Sequence, residues 1–261
     1  MKALITGANK GIGFAIAQNL GKRGYEILLG ARQESLGQEA VQKLQADGIS
    51  ASFVKVDLND LEGLESLSDL SDVDILVNNA GIAGNIATEK SKLDMNKSAF
   101  DYTTTDLQET LNTNFLGTHA VITNLLPALS ENAKILNVTV PVSQKYWMPL
   151  AYVTSKAAQN AMTFAFGHQF EKDKSKRQIF GVMPGAIATD LNGAKAGEGG
   201  MVRTPYQAAE NITSFLFDGK NHNAELINFD GTIIDNYEPG LMGKNLKDIA
   251  RNGLKRKFGK K

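Results

Sequence analysis

The stretch Thr6-Gly7-Ala8-Asn9-Lys10-Gly11-Ile12-Gly13, directly behind the apolar run Ala3-Leu4-Ile5, restricts what this chain can fold into more than any other. It reads as a strand, a glycine turn and the start of a helix. Gly7 takes the tight turn off the strand, Gly11 lets a phosphate come close to the backbone, and Gly13 lets the helix pack against the sheet; each uses a missing Cβ. The N–H groups at the helix start then face the phosphates of a dinucleotide. Phe14, Ile16, Ala17 and Leu20 continue at near-helical spacing before Gly24 closes the helix. Three glycines in seven residues also describe an ordinary turn, so the rest of the chain has to decide.

The pattern that follows alternates. Glu26 to Arg32 reads as a second buried strand, Glu34 to Ala46 as a helix, Ala51 to Val56 as a third strand ending in Asp57-Leu58, Leu61 to Leu70 as a short helix, and Val73 to Val77 as a fourth strand before Asn78-Asn79-Ala80-Gly81. Such alternation predicts an α/β fold. We expect a doubly wound (Rossmann) parallel sheet of about seven strands with helices on both faces, and a ligand at the carboxyl ends of the strands. The later strands are expected at Lys134–Val140, Gln178–Met183 and Leu226–Gly231. Arg32 ends the second strand where an acid would bind ribose hydroxyls, and with Lys10 it puts two cations at one ribose corner. That charge favours NADP(H) over NAD(H).

A length of 261 residues and 42% hydrophobic content suit one catalytic domain over 1–240. From Lys244 to Lys261 eight Lys or Arg face one acid, Asp248, which reads as a solvated basic tail over 241–261. With zero formal net charge, no global field recruits nucleic acid or an anionic membrane. No cysteine is present, so disulfides and thiol catalysis are excluded, and no metal site is expected. No apolar run reaches the ~18 residues of a membrane span. The first strand begins at the third residue, leaving no room for a signal peptide, so the expected location is cytoplasmic.

Two segments break the alternation. Residues 82–106 are polar and lysine-bearing and read as an insertion flanking the site, a lid or an oligomer contact. Residues 190–210 contain Gly193, Gly197, Gly199 and Gly200, as a mobile substrate lid would. Between them a helix is expected from about Leu107 to Leu126, and after the fifth strand comes Tyr152-Val153-Thr154-Ser155-Lys156. Tyr152 and Lys156, four apart on a helix, share a face. A phenol with a pKa of about 10 is a sluggish acid near neutrality, and a nearby ammonium is expected to lower that value.

Taken in order, Gly7-x-x-x-Gly11-x-Gly13, Asn78-Asn79-Ala80-Gly81, Asn114 and Tyr152-x-x-x-Lys156 resemble the short-chain dehydrogenase/reductase family, and the resemblance runs to about Gly231. Asn9-Lys10 and Ala31-Arg32 are most similar to its NADPH-dependent carbonyl reductases. The resemblance implies that the glycine loop with Ile12 cradles NADP(H), that Asp57-Leu58 meets the adenine edge, and that Asn79, Ala80 and Gly81 line the cofactor. It further implies that Lys156 reaches the nicotinamide ribose, that Asn114 holds a water beside Lys156, and that Pro184-Gly185, the Ile187 backbone and the Thr189 hydroxyl hold the carboxamide.

The family's strand-ending serine pair is here Thr139-Val140. Counted from the strand, the catalytic hydroxyl position falls on Val140; counted back from Tyr152 it falls on Thr139, with Ser143 the other candidate. Trp147, Met148 and Pro149 would give one wall of an apolar pocket. The function expected is NADPH-dependent reduction of ketones or aldehydes, or the reverse oxidation of an alcohol, with Tyr152 as general acid; a homodimer or homotetramer is implied by the resemblance. The alternative is a catalytically weak or inactive NADP-binding protein, for which the irregular serine position is the motive.

Overall fold

A computed structural model of the chain describes residues 1–84, 96–142, 149–189, 191, 195–197 and 202–234. Seven strands form one all-parallel sheet in the order β3-β2-β1-β4-β5-β6-β7. They are β1 (Lys2–Thr6), β2 (Glu26–Ala31), β3 (Ala51–Lys55), β4 (Val73–Asn78), β5 (Leu129–Val138), β6 (Gln178–Met183) and β7 (Leu226–Asn228). The order reverses between β1 and β4, so the connections leave the sheet to opposite sides there and a crevice opens over the carboxyl ends. This is the doubly wound α/β fold the alternation predicts.

Because parallel strands are covered on both faces, their side chains are apolar on both. On one face α1 (Gly11–Lys22), α2 (Glu34–Ala46) and α6 (Pro205–Phe217) bury Ile16, Leu20, Leu44 and Ile212 against Ile5, Leu29, Val77 and Val182. On the other, a 3₁₀ run over Gly63–Asp69, α4 (Thr118–Leu125) and α5 (Leu150–Lys172) close over Leu4, Leu28, Leu76, Ile135 and Ile179. Helix starts obey their sequence signals. Thr103 with Asp106 and Thr204 with Gln207 form capping boxes at α3 (Thr104–Leu111) and α6, and Pro205 takes the first turn of α6, where no N–H is needed.

Several expected elements differ in detail. The helix expected from Leu107 to Leu126 is broken: α3 ends at Leu111, Asn112–Gly117 is wound as π-helix, and α4 follows. A π turn places one extra residue in the helix and rotates the side chains beyond it. The expected Leu61–Leu70 helix is the 3₁₀ run, whose entry Asp60 holds by accepting from the Gly63 N–H at 3.0 Å. β5 starts earlier and ends at Val138 rather than Val140, and β7 stops at Asn228 because Gly231 N–H turns back to the Asn228 carbonyl. Residues 205–210 of the expected lid belong to α6, since the capping box fixes the helix there. The central part of the 82–106 insertion, the lid glycines other than Gly197, and the tail over 241–261 lie outside the described residues. Among the described residues no helix is long and apolar enough to cross a membrane.

Candidate active site

At the carboxyl end of β1 the glycine loop is stitched to the loop after β4. Thr6 Oγ1 accepts from the N–H groups of Asn79 and Ala80, both at 3.0 Å, and Asn79 Nδ2 donates to the carbonyls of Thr6 and Gly7 at 3.1 and 3.3 Å. A Cβ on Gly13 would strike the Gly7 carbonyl and come within 2.6 Å of Asn79 Nδ2, so only glycine allows this closeness. Gly11, at φ +60°, is different: the space a Cβ would take has no atom within 4 Å. The start of α1 has no side-chain cap. An open cradle in front of uncapped helix N–H groups is a place for an anion. Thus Gly7 and Gly13 meet Ala80 and Asn79 at the carboxyl ends of β1 and β4, Asn9 and Lys10 carry the turn into Gly11 and Ile12 at the start of α1, Gly81 lies against Asn114, and the open space at Gly11 fits a dinucleotide phosphate.

Arg32 is exposed directly after β2, one strand over from Lys10. Asp57 lies beyond β3, where its Oδ1 accepts from the Asn59 N–H at 3.1 Å. Leu58 is buried and packs so closely on the π segment that a Cβ at Gly117 would strike its carbonyl. Pro184 and Ile187 are buried beyond β6, with Gly185 at φ +75°. Ile187 forms a parallel bridge with Arg203, and the Arg203 guanidinium stacks over Phe229 at 4.4 Å. Thr189 is half-buried at the end of this segment.

The face of α5 turned to the sheet is polar. Tyr152, Ser155, Lys156, Gln159, Asn160 and Thr163 recur at helical spacing and are all buried. Lys156 Nζ donates to the Val138 carbonyl at 2.8 Å and to Gln159 Oε1 at 3.0 Å, and stands 5.9 Å from the centre of the Tyr152 ring. Burial pushes the Tyr152 hydroxyl up to about 12 and the Lys156 ammonium down to about 8. The Tyr152 shift runs opposite to the lowering expected from Lys156, and burial is its cause, because removal from water disfavours the charged form of each group.

Asn114 sits in the π segment with three hydrogen bonds to its amide. Its Oδ1 accepts from the Ile82 N–H at 2.8 Å, while its Nδ2 donates to the Ile82 carbonyl and to Ser155 Oγ, each at 2.9 Å. Ser155 Oγ in turn donates to the Tyr152 carbonyl at 2.7 Å. Asn114 thus clamps the loop after β4 onto α5 beside Tyr152, using both Nδ2 protons and one of the two acceptor positions of Oδ1.

Thr139, just past β5, is buried with its Oγ1 donating to Asn160 Oδ1 at 2.6 Å. Its one hydroxyl proton is directed into the α5 interface. Asn137 and Thr139 both bond α5, through Thr163 and Asn160, and the Val140 carbonyl accepts from Asn160 Nδ2 at 3.3 Å. Ser143, Trp147 and Met148 lie outside the described residues, as does any hydroxyl Ser143 would bring.

Sequence reasoning missed Thr6, Asn137, Gln159 and Asn160, the partners among which Asn78 of the Asn-Asn-Ala-Gly stretch is set. Asn78 Nδ2 donates to Asn137 Oδ1 and Asn137 Nδ2 to Thr163 Oγ1, each at 2.9 Å, which ties β4, β5 and α5 behind the site. The signal was present as polar residues at helical spacing on one face of α5.

Residues 1–198 match the family described as short chain dehydrogenase. Carbonyl reductase [NADPH] 1 of Bos taurus is 40% identical over 149 residues, which cover 54% of this chain and 49% of that protein; the chain thus spans about half the length of such relatives. The Rattus norvegicus protein of the same name is 28% identical over 260 residues, covering 80% of this chain and 87% of that one. Among solved structures, an alcohol dehydrogenase from the archaeon Thermococcus sibiricus complexed with 5-hydroxy-NADP is 26% identical with a TM-score of 0.72, covering 92% of this chain and 98% of that one.

Proposed function

The chain belongs to the short-chain dehydrogenase/reductase family, and from that premise we propose that it is an NADPH-dependent reductase of small ketones or aldehydes. The observation that supports this most is the buried pair on α5, Tyr152 with Lys156, beside an open phosphate cradle at the same sheet edge. NADP(H) is favoured by Arg32 and Lys10, and the similarity to proteins named carbonyl reductase [NADPH] supports the same cofactor. When bound, NADPH supplies a hydride to the carbonyl carbon.

Everything else is work for the protein's own side chains. Tyr152, held protonated by its burial, donates its proton to the carbonyl oxygen as the alcohol forms. The phenolate left behind is stabilised by Lys156, which is mostly an ammonium at pH 7. Asn114, through Ser155, fixes the Tyr152 turn of α5 against the loop after β4. Asp57 and Leu58 border the adenine site, and Pro184, Gly185, Ile187 and Thr189 the carboxamide site. Thr139 orients the substrate carbonyl once its hydroxyl turns from Asn160, with Ser143 as the alternative donor and Trp147 as pocket wall. The small-molecule substrate is a carbonyl or its alcohol, and the assembly is a homodimer or homotetramer in the cytoplasm.

A second reading, an NADP-binding protein of little activity, is favoured by one observation: the Thr139 proton is engaged and Val140 has none to give. One experiment separates the two. NADPH oxidation is followed over a panel of ketones and aldehydes with wild type, Tyr152→Phe, Thr139→Ala and Ser143→Ala. The reductase reading expects turnover by wild type and a loss of roughly 10²–10⁴-fold in Tyr152→Phe with NADPH still bound. Bound NADPH with no turnover by any of the proteins would favour the second reading.

A further inference from the structure

Gln159 has no role in the reaction as derived so far, yet its placement is unusual. It is fully buried one turn beyond Lys156 on α5, and its Oε1 accepts from Lys156 Nζ at 3.0 Å. Its Nε2 is also buried and has no hydrogen-bond partner among the described residues. An orphaned amide NH₂ is costly in an interior, so an apolar side chain of the same volume would pack better. What the site gains from a glutamine here is its oxygen.

We propose that Gln159 is a positioning residue whose Oε1 docks the Lys156 ammonium against the end of β5, fixing where that charge stands relative to Tyr152 and how firmly it keeps its proton. This rests on the reading of Lys156 as the cation that stabilises the Tyr152 phenolate. Lysine has three N–H donors, and two are directed to Val138 and Gln159, back from the Tyr152 ring. The dock is itself anchored. The main-chain carbonyl of Gln159 accepts from Thr163 Oγ1, which accepts from Asn137 on β5, which bonds Asn78 on β4, so it is the helix turn carrying the side chain that is held. The group that meets Lys156 from β5 is neutral, the Val138 carbonyl, and on its own helix it meets the Gln159 amide oxygen and the titratable Tyr152. Among the described residues no carboxylate pairs with it. The amide oxygen and the strand carbonyl are thus what offset its burial.

The test is the proton titration of Lys156 by NMR of protein labelled at lysine Cε, without cofactor or substrate, the resonance being assigned by its absence in Lys156→Met. The wild-type midpoint is expected near 8. Gln159→Met removes the acceptor at similar volume and should lower the midpoint by about one unit; Gln159→Glu should raise it by about one unit or more. In wild type the Gln159 side-chain carbonyl carbon should titrate with the same midpoint, a readout that needs no variant. Unmoved midpoints in both variants, or a Gln159 carbon silent through the Lys156 titration, would overturn the proposal. Shifts seen in a protein that turns over no carbonyl would support Gln159 and overturn only the reductase reading; turnover with unmoved midpoints would do the reverse.

Discussion

At the scale of single residues, the glycine loop divides into positions that are glycine for different reasons. A side chain at Gly13 would meet backbone and the Asn79 amide, neither of which can move without breaking the tie between the loops after β1 and β4. A side chain at Gly11 would meet nothing, and its constraint is the positive φ together with whatever occupies the open cradle. Gly13→Ala should therefore lower stability by about 1–3 kcal/mol or more, as over-packing does, and lose NADPH binding as well. Gly11→Ala should cost only about 1–2 kcal/mol for the left-handed backbone while still weakening NADPH binding. Denaturant melts and fluorescence titration with NADPH check both; equal stability of the two variants would count against this division.

At the scale of elements, the π segment at 112–117 is where the long helix yields to the site. Regular winding would place Asn114 elsewhere, whereas the extra residue turns its amide to both backbone groups of Ile82 and to Ser155. Asn114→Leu leaves the Ile82 N–H and carbonyl without these partners and should cost about 2–4 kcal/mol. It should also loosen the loop after β4, seen as faster amide exchange at Ile82 and Ala83 than at the centre of β4. Gly117→Ala should be as damaging, since the Leu58 carbonyl stands where its Cβ would go. A π turn has no reliable signature in single-residue propensity, because its cost is met by contacts made with distant residues. The sequence therefore gives a helix here and misses its interruption. The end of β5 is similar: Thr139 and Val140 lie past the last strand residue, and the tie of the Thr139 hydroxyl to Asn160 on α5 is a contact that counting along the chain does not announce.

At the scale of the whole molecule, the two buried groups of the site make stability depend on alkaline pH in opposite directions. The Lys156 value falls from 10.5 to about 8 on folding, so its contribution to stability is present above 10.5 and is lost as pH falls through about 8. The Tyr152 value rises from 10.0 to about 12, so its contribution is complete below 10 and is lost as pH rises through about 12. Unfolding free energy should rise between pH 8 and 10 and decline beyond it, with the Lys156 part amounting to about 3 kcal/mol over its full range. Urea melts between pH 7 and 10 should show the rise in wild type and not in Lys156→Met; a rise of equal size in that variant would mean that another group is responsible. If the reaction uses the ammonium as proposed, turnover in the reducing direction falls above about pH 8, because Lys156 then loses the charge that stabilises the phenolate.

What the sequence by itself determined is the frame: seven parallel strands, helices on both faces, a glycine cradle behind β1, and Tyr152 and Lys156 on one face of a helix. These follow from periodicity and from steric demands that are local to a few residues. The tertiary structure decided how the polar groups are shared out. Thr6, Asn78, Asn114, Asn137 and Asn160 find partners from 21 to 74 residues away, which no local pattern encodes. It also decided the direction in which the proton affinities of Tyr152 and Lys156 shift, because burial is a property of the packed molecule and is the cause of both shifts.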